Sequence, residues 1–257
     1  MKVIILAGGL GTRLSEYTQD IPKPMVCIGE YPVVWHIIRI YGHFGHTNVT
    51  LALGYKAEYV KGYFLHYYDL QTDFSIDMKT GEHTSLSHSP IDFKINLIDT
   101  GLRTMTGGRL RRLRDHVKDE TFLVTYGDGV ANVDINKVIE FHKQHGKLVT
   151  MTVTRPPARY GIVRMDANGQ VQDFREKPKT DAYINGGFFV MEPGFLDYID
   201  GNEEPLEQGP LDRALSDNQL MAYRHNGFWH PMDTKRDVTD LNNMWESGKA
   251  PWKLWKD

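Results

Sequence analysis

Residues 3–14 read Val-Ile-Ile-Leu-Ala-Gly-Gly-Leu-Gly-Thr-Arg-Leu. The run Val3 to Leu6 is short, unbroken and apolar, as a strand covered on both faces would be. It gives way at once to Gly8, Gly9 and Gly11, then Thr12 and Arg13. Glycines let the backbone approach a ligand and turn successive N–H groups toward it, which suits phosphate oxygens. Arg13 adds a cationic fork for a phosphate group. No Gly-Lys-Ser/Thr closes the loop, so it is not a Walker P-loop, and the third glycine of a dinucleotide fingerprint falls at Leu14. For the glycines alone, a plain turn at a strand end is the simpler reading. With Arg13 and the motifs downstream, phosphate binding is favoured.

Outward from this stretch, strand and helix alternate. Residues 32–44 and 56–68 carry helical spacing, with further helices near 107–117 and 134–145. Residues 48–53, 94–98, 122–126 and 148–153 read as strands. The first 155 residues therefore predict a mixed, mainly parallel α/β sheet flanked by helices, Rossmann-like in its layering. From residue 160 the strands crowd together, with Asn168-Gly169 as a hairpin turn. A helix near 205–217, the strand LMAYRH and a last helix near 235–247 complete the chain. The whole of 1–257 reads as one domain, with 1–155 as a nucleotide-binding part and 156–257 as a C-terminal part. Residues 70–93 are polar and form an insertion out of the sheet, of the kind that hairpins or functional loops fill.

The chain has 257 residues, 40% of them hydrophobic and 25% charged. That length supports a core without staples. Thirty Lys and Arg against 33 Asp and Glu give a net charge of -3, which argues against a nucleic-acid-coating protein. The single cysteine, Cys27, excludes an intramolecular disulfide and fits a reducing compartment. No stretch reaches the ~18 apolar residues of a membrane span. The reading is a cytoplasmic protein without a membrane partner.

Several short motifs could carry chemistry. In Pro22-Lys23-Pro24 two prolines hold one lysine in an extended segment, close in sequence to the glycine turn. Tyr126-Gly127-Asp128-Gly129 ends a central strand, where ligands of open α/β sheets gather. Asp128 is placed there to hold Mg2+ against phosphate, and Asp233, ahead of a helix, is a second carboxylate of the same kind. The competing role for Asp233 is a helix N-cap. Glu176-Lys177-Pro178 repeats the locked-lysine pattern. Asn185-Gly186-Gly187 lies in a strand, where glycines mark close approach of a ligand or a bulge. Asn185 could hydrogen-bond a sugar hydroxyl. Arg109, in Thr106-Gly107-Gly108-Arg109, could open a helix whose N–H groups face an anion.

In this order, LAGGLGTRL, PKP, YGDG, EKP, NGG and a late Asp resemble the sugar-1-phosphate nucleotidylyltransferases across essentially the whole chain. Residues 97–101 (LIDTG), residues 104–109 (TMTGGR), the insertion at 70–93 and the ending GFWHPMDT resemble the cytidylyl branch of that family. The resemblance implies a glycosyltransferase-A-like fold with a C-terminal sugar-binding portion. It also implies CTP and glucose 1-phosphate as substrates, Mg2+ as cofactor and a homo-oligomer. It implies a nucleotide site at Leu6, Ala7, Gly8, Gly9, Gly11, Thr12, Arg13, Lys23, Thr104, Arg109 and Gly127. The sugar phosphate would meet Glu176, Lys177, Asn185 and Gly186, and Asp128 with Asp233 would hold the metal. Arg13, Lys23, Asp128 and Lys177 would carry catalysis. A UTP- or dTTP-dependent enzyme and a non-catalytic nucleotide-sugar-binding regulatory subunit are the alternatives.

Overall fold

A computed structural model describes residues 1–86, 92–156, 161–176 and 182–256, without the side chains of Arg13, Ser15 and Leu70. Seven strands form the central sheet: β1 (Val3–Leu6), β2 (Asn48–Leu53), β3 (Lys94–Asp99), β4 (Phe122–Tyr126), β5 (Val149–Thr154), β6 (Ile184–Met191) and β7 (Leu220–His225). Their spatial order is β7-β5-β6-β4-β1-β2-β3. All neighbours pair in parallel except β6, which runs antiparallel to both β4 and β5. The expected mixed, mainly parallel sheet is borne out.

The apolar run that opened the sequence lies at the centre of this sheet. Alternate residues of a strand point to opposite faces. Val3 and Ile5 enter one hydrophobic cluster, whereas Ile4 and Leu6 enter the other. On the first face β1 packs against α1 (Val33–His43), with Ile37 and Ile40 fully buried. The same face carries α2 (Ala57–Leu65), α4 (Ile135–His145) and α6 (Lys235–Glu246). On the second face lie α3 (Thr106–Arg112) and α5 (Pro210–Ser216), with Leu110, Phe189 and Leu196 between them and the sheet.

Several expectations shift at their edges. The helix expected over 205–217 is only α5, because residues 202–206 pack against α3 instead. The strands read at 160–176 do not join the sheet. Ile162–Met165 and Val171–Arg175 form a separate hairpin turned at Gly169, whose φ is +84°. Its apolar side chains stay exposed, Phe174 at 61% among them, so the sheet gains nothing from it. The 70–93 insertion is a hairpin, Phe74–Ile76 with His83–Ser85, as far as the described residues reach. Among the described residues no helix is long and apolar enough to cross a membrane.

Candidate active site

The strand order reverses beside β1. The chain runs outward through β2 and β3, then returns to lay β4 against the other edge of β1. Such a switch point opens a crevice at the strands' carboxyl ends, where ligands bind. A cleft of about 730 Å³ lies there, walled by residues 6–12, Lys23, Pro24, residues 102–106, Arg109 and residues 126–128. Leu6, Ala7, Gly8, Gly9, Gly11, Thr12, Lys23, Thr104, Arg109, Gly127 and Asp128 thus all face one cavity. Arg13 sits in the 3-10 turn Thr12–Leu14, and its side chain lies outside the described residues.

Lys23 is presented differently from expectation. Pro22 is extended, with ψ 147°, but Lys23 opens a 3-10 turn through Met25 rather than an extended segment. Pro24 tolerates this because the first turn of a helix has no use for its missing N–H. The Lys23 ammonium donates 2.7 Å bonds to Asp128 Oδ2 and to Asp233 Oδ1. Burial alone would lower this ammonium, but the two carboxylates outweigh it and hold it above the usual lysine value.

A short ribbon brings the two aspartates together. Gly129–Ala131 pairs antiparallel with Trp229–Pro231, with Gly129 opposite Pro231. The Met232 N–H donates to the Asp128 carbonyl at 2.8 Å. Asp233 is not the cap of α6. Thr234 takes that place, in a reciprocal capping box with Asp237. The Asp233 carboxylate is thereby left to reach Lys23. Among the described residues no group of three or more His, Cys, Asp or Glu side chains is arranged to hold a metal ion. Two carboxylates converging beside a glycine turn nevertheless fit magnesium, which takes one or two from protein and completes its shell with water and phosphate.

Arg109 is 3% exposed and does not point freely into the cleft. Its guanidinium donates to the carbonyls of Gly8 and Leu53 at 2.8 Å each, to Gly101 O at 2.9 Å and to Thr100 Oγ1 at 2.7 Å. It thus ties the glycine turn to the ends of β2 and β3. A Cβ at Gly8 would lie 2.3 Å from the guanidinium carbon, so this glycine is required by close approach. The start of α3 also departs from expectation. Its early N–H groups serve the chain rather than an anion, because Met105 N donates to Asn202 O and Gly108 N to Glu204 O.

The sugar-side candidates are more dispersed. Asn185 and Gly186 lie in β6 where the register against β5 shifts, so the bulge reading of this glycine pair holds. The Asn185 amide donates to the Tyr126 hydroxyl at 3.1 Å, and Trp229 Nε1 donates to the Gly186 carbonyl at 2.7 Å. Glu176 follows the exposed hairpin, with its carboxylate beside Gly161. No hydrogen bond joins it to Asn185 among the described residues. Lys177 lies outside the described residues. Sequence reasoning missed Arg103, Thr106 and Tyr126 as cleft residues. Tyr126 and Thr106 stood inside motifs already singled out, whereas Arg103 carried no pattern of its own.

A switch-point cleft lined by a glycine turn, a lysine and Asp128, with Asp233 bonded to the same lysine, defines a nucleotide-handling α/β enzyme. The model of the nucleotidyl transferase family matches residues 2–249, and the chain belongs to that family. It is 49% identical over its full length to a glucose-1-phosphate cytidylyltransferase of Salmonella typhi, itself covered completely. A probable glucose-1-phosphate cytidylyltransferase of Bacillus subtilis is 42% identical, with 99% of this chain and 100% of that one covered. Among solved structures, HddC from Yersinia pseudotuberculosis complexed with GMP-PN has the same fold, at a TM-score of 0.69 and 22% identity. The match covers 95% of this chain and 99% of HddC.

Proposed function

We propose that this nucleotidyl transferase moves the cytidylyl group of CTP to α-D-glucose 1-phosphate, releasing CDP-glucose and pyrophosphate. The observation that carries the reading is the convergence of Lys23, Asp128 and Asp233 at the mouth of the glycine-lined cleft. Full-length similarity to the Salmonella enzyme supports the choice of substrates.

In this reading a sugar-phosphate oxygen attacks the α-phosphorus in line. A new P–O bond forms, the bond from the α-phosphorus to the bridging oxygen breaks, and pyrophosphate carries that electron pair away. The attacking oxygen is already anionic near pH 7, so no general base is required. The task is to bring two polyanions together, which is positioning and charge neutralisation. The turn from Gly8 to Thr12 offers backbone N–H groups to the nucleotide phosphates. Arg13, Lys23 and the potential of Arg109 neutralise their charge. Lys23 can exchange a carboxylate for a phosphate oxygen without leaving its place. Asp128 and Asp233 would hold Mg2+, which when bound screens phosphate charge. Lys177, Glu176, Asn185 and Gly186 would receive the sugar phosphate. The single free cysteine fits a cytoplasmic enzyme, and exposed aromatic surface supports a homo-oligomer.

The test is Mg2+-dependent pyrophosphate release with glucose 1-phosphate and each of CTP, UTP, dTTP, ATP and GTP. Release led by CTP supports the reading. Release led by UTP or dTTP overturns the base assignment. No release with any nucleotide, across a panel of sugar 1-phosphates, overturns catalysis and leaves a nucleotide-sugar binder.

A further inference from the structure

Between the nucleotide cleft and Asn185 lies a carboxylate to which neither the motifs nor the family resemblance gives a task. Glu207 accepts a hydrogen bond from the Tyr126 hydroxyl through Oε1 and a 3.0 Å bond from the Thr106 hydroxyl through Oε2. Tyr126 and Thr106 both line the nucleotide cleft. The Tyr126 oxygen in turn accepts from the Asn185 side-chain amide, and Asn185 Oδ1 accepts from the Gly187 N–H at 2.8 Å. A continuous chain therefore runs Asn185 to Tyr126 to Glu207 and back through Thr106 to the start of α3.

The direction of each bond in this chain is set from its two ends, by Glu207 and by the Gly187 N–H. A carboxylate only accepts, so both hydroxyls must donate to it. Burial first, and then the adjacent Glu207 charge, push the Tyr126 hydroxyl far above its ordinary value, so it keeps the proton it donates. With that proton committed, the Tyr126 oxygen must accept from Asn185. The Gly187 N–H, which only donates, requires Oδ1 at the other end, so the amide is oriented from both sides. One N–H and one lone pair of Asn185 then remain at defined positions for a ligand. Without Glu207 the Tyr126 proton loses its acceptor, and the Asn185 amide is held from the Gly187 side alone. The carboxylate is itself anchored. Leu206 N donates to Thr106 Oγ1 at 2.7 Å, and the neighbouring Glu204 is held by Arg213 and by the Asp200 N–H.

We propose that Glu207 is a positioning residue of the acceptor subsite: through Tyr126 it holds Asn185 toward the sugar phosphate. The inference rests on the reaction proposed above. It is tested by steady-state kinetics of the full chain with each substrate varied, comparing wild type, Glu207→Gln, Tyr126→Phe and the double variant. Glu207→Gln keeps the size but replaces one acceptor with a donor, so it cannot receive both hydroxyls. KM for glucose 1-phosphate should rise about tenfold in each single variant, with KM for CTP changed less than about twofold. The double variant should be no worse than either single one, because all three break the same chain. Calorimetric titration with glucose 1-phosphate should show the same weakening without turnover. A merely structural role would lower the melting temperature and leave the KM ratio alone, and that result would overturn the proposal. Equal rises in both KM values, or additive losses in the double variant, would also overturn it. Wild type that turns over normally beside unshifted variants sinks this role alone, whereas inactive wild type sinks the reaction and the role together.

Discussion

Arg109 donates to four neutral acceptors, and no carboxylate lies within ion-pair distance of it among the described residues. Burial lowers this guanidinium from its usual value, yet an arginine keeps its charge. Positive potential therefore remains beneath the glycine turn, in a cleft that also carries Lys23 and Arg103. Arg109→Met removes one donor from each of the carbonyls of Gly8, Leu53 and Gly101, although Gly8 keeps the Tyr55 N–H and Leu53 keeps the N–H and hydroxyl of Thr100. It should destabilise the protein by roughly 3 kcal/mol, read by urea unfolding. KM for CTP should rise severalfold while KM for glucose 1-phosphate holds. An unchanged KM for CTP would count against Arg109 as the support of the glycine turn. Asp128→Asn and Asp233→Asn should each lower kcat by about 100-fold or more at saturating Mg2+. Retained turnover in either would remove that carboxylate from the machinery. The sequence made Arg109 and both aspartates legible as candidate site residues, but not how they are held. A guanidinium clamped by carbonyls from three strand ends has no signature in spacing, because those carbonyls belong to every residue type. Glu207 was equally hidden, in a polar segment without a motif.

The elements were more legible than their ends. Strands β1, β2 and β4 are legible as apolar runs buried on both faces, and helices α1 and α6 as apolar stripes at helical spacing. Where an element borrows its partners from distant chain, periodicity failed. The sequence predicts a helix from about 205, yet the helix starts at Pro210, and just before it Asn202 and Glu204 spend their carbonyls on α3. A Cβ at Gly108 would lie 2.2 Å from the Asn202 carbonyl oxygen, so Gly107-Gly108 serves backbone contact. Gly108→Ala should push this segment away, costing about 2 kcal/mol, and should raise KM for glucose 1-phosphate with it through Glu207. A second long-range tie joins α1 to the chain's end. His36 is fully buried, contacts the Ile28 carbonyl at 2.9 Å and faces Trp252, which is also fully buried. Burial lowers His36 from 6.5 to about 4. The folded state thus holds it neutral while the unfolded chain protonates it below pH 6.5. Its contribution is fully present above that pH and is lost as the pH falls toward about 4, by about 3 kcal/mol in all. Unfolding free energies of His36→Gln across this window should lose that slope. A wild-type slope retained in the variant would assign it elsewhere.

At the scale of the molecule, the sheet divides the chemistry from the contacts. The carboxyl ends of β1 and β4 hold the cleft, whereas β3 ends the sheet with no strand beyond it among the described residues. An open edge of this kind is normally covered or charged. Beside β3 runs an apolar groove of about 280 Å³ between α1, the region of α2 and the base of the 70–93 insertion. Trp35, Phe64, Tyr67 and Phe93 line it, and Leu65 and Tyr68 stand next to it at 76% and 54% exposure. Contiguous apolar surface around an open edge marks association. No residue that lines the groove also lines the cleft. Sedimentation equilibrium at micromolar concentration should give a mass that is a multiple of the 29.5 kDa chain. Leu65→Asp combined with Tyr68→Asp should shift it to a smaller species with an unchanged far-UV spectrum. A wild-type monomer would refute the association, and an unshifted mass in the double variant would place the contact on another face.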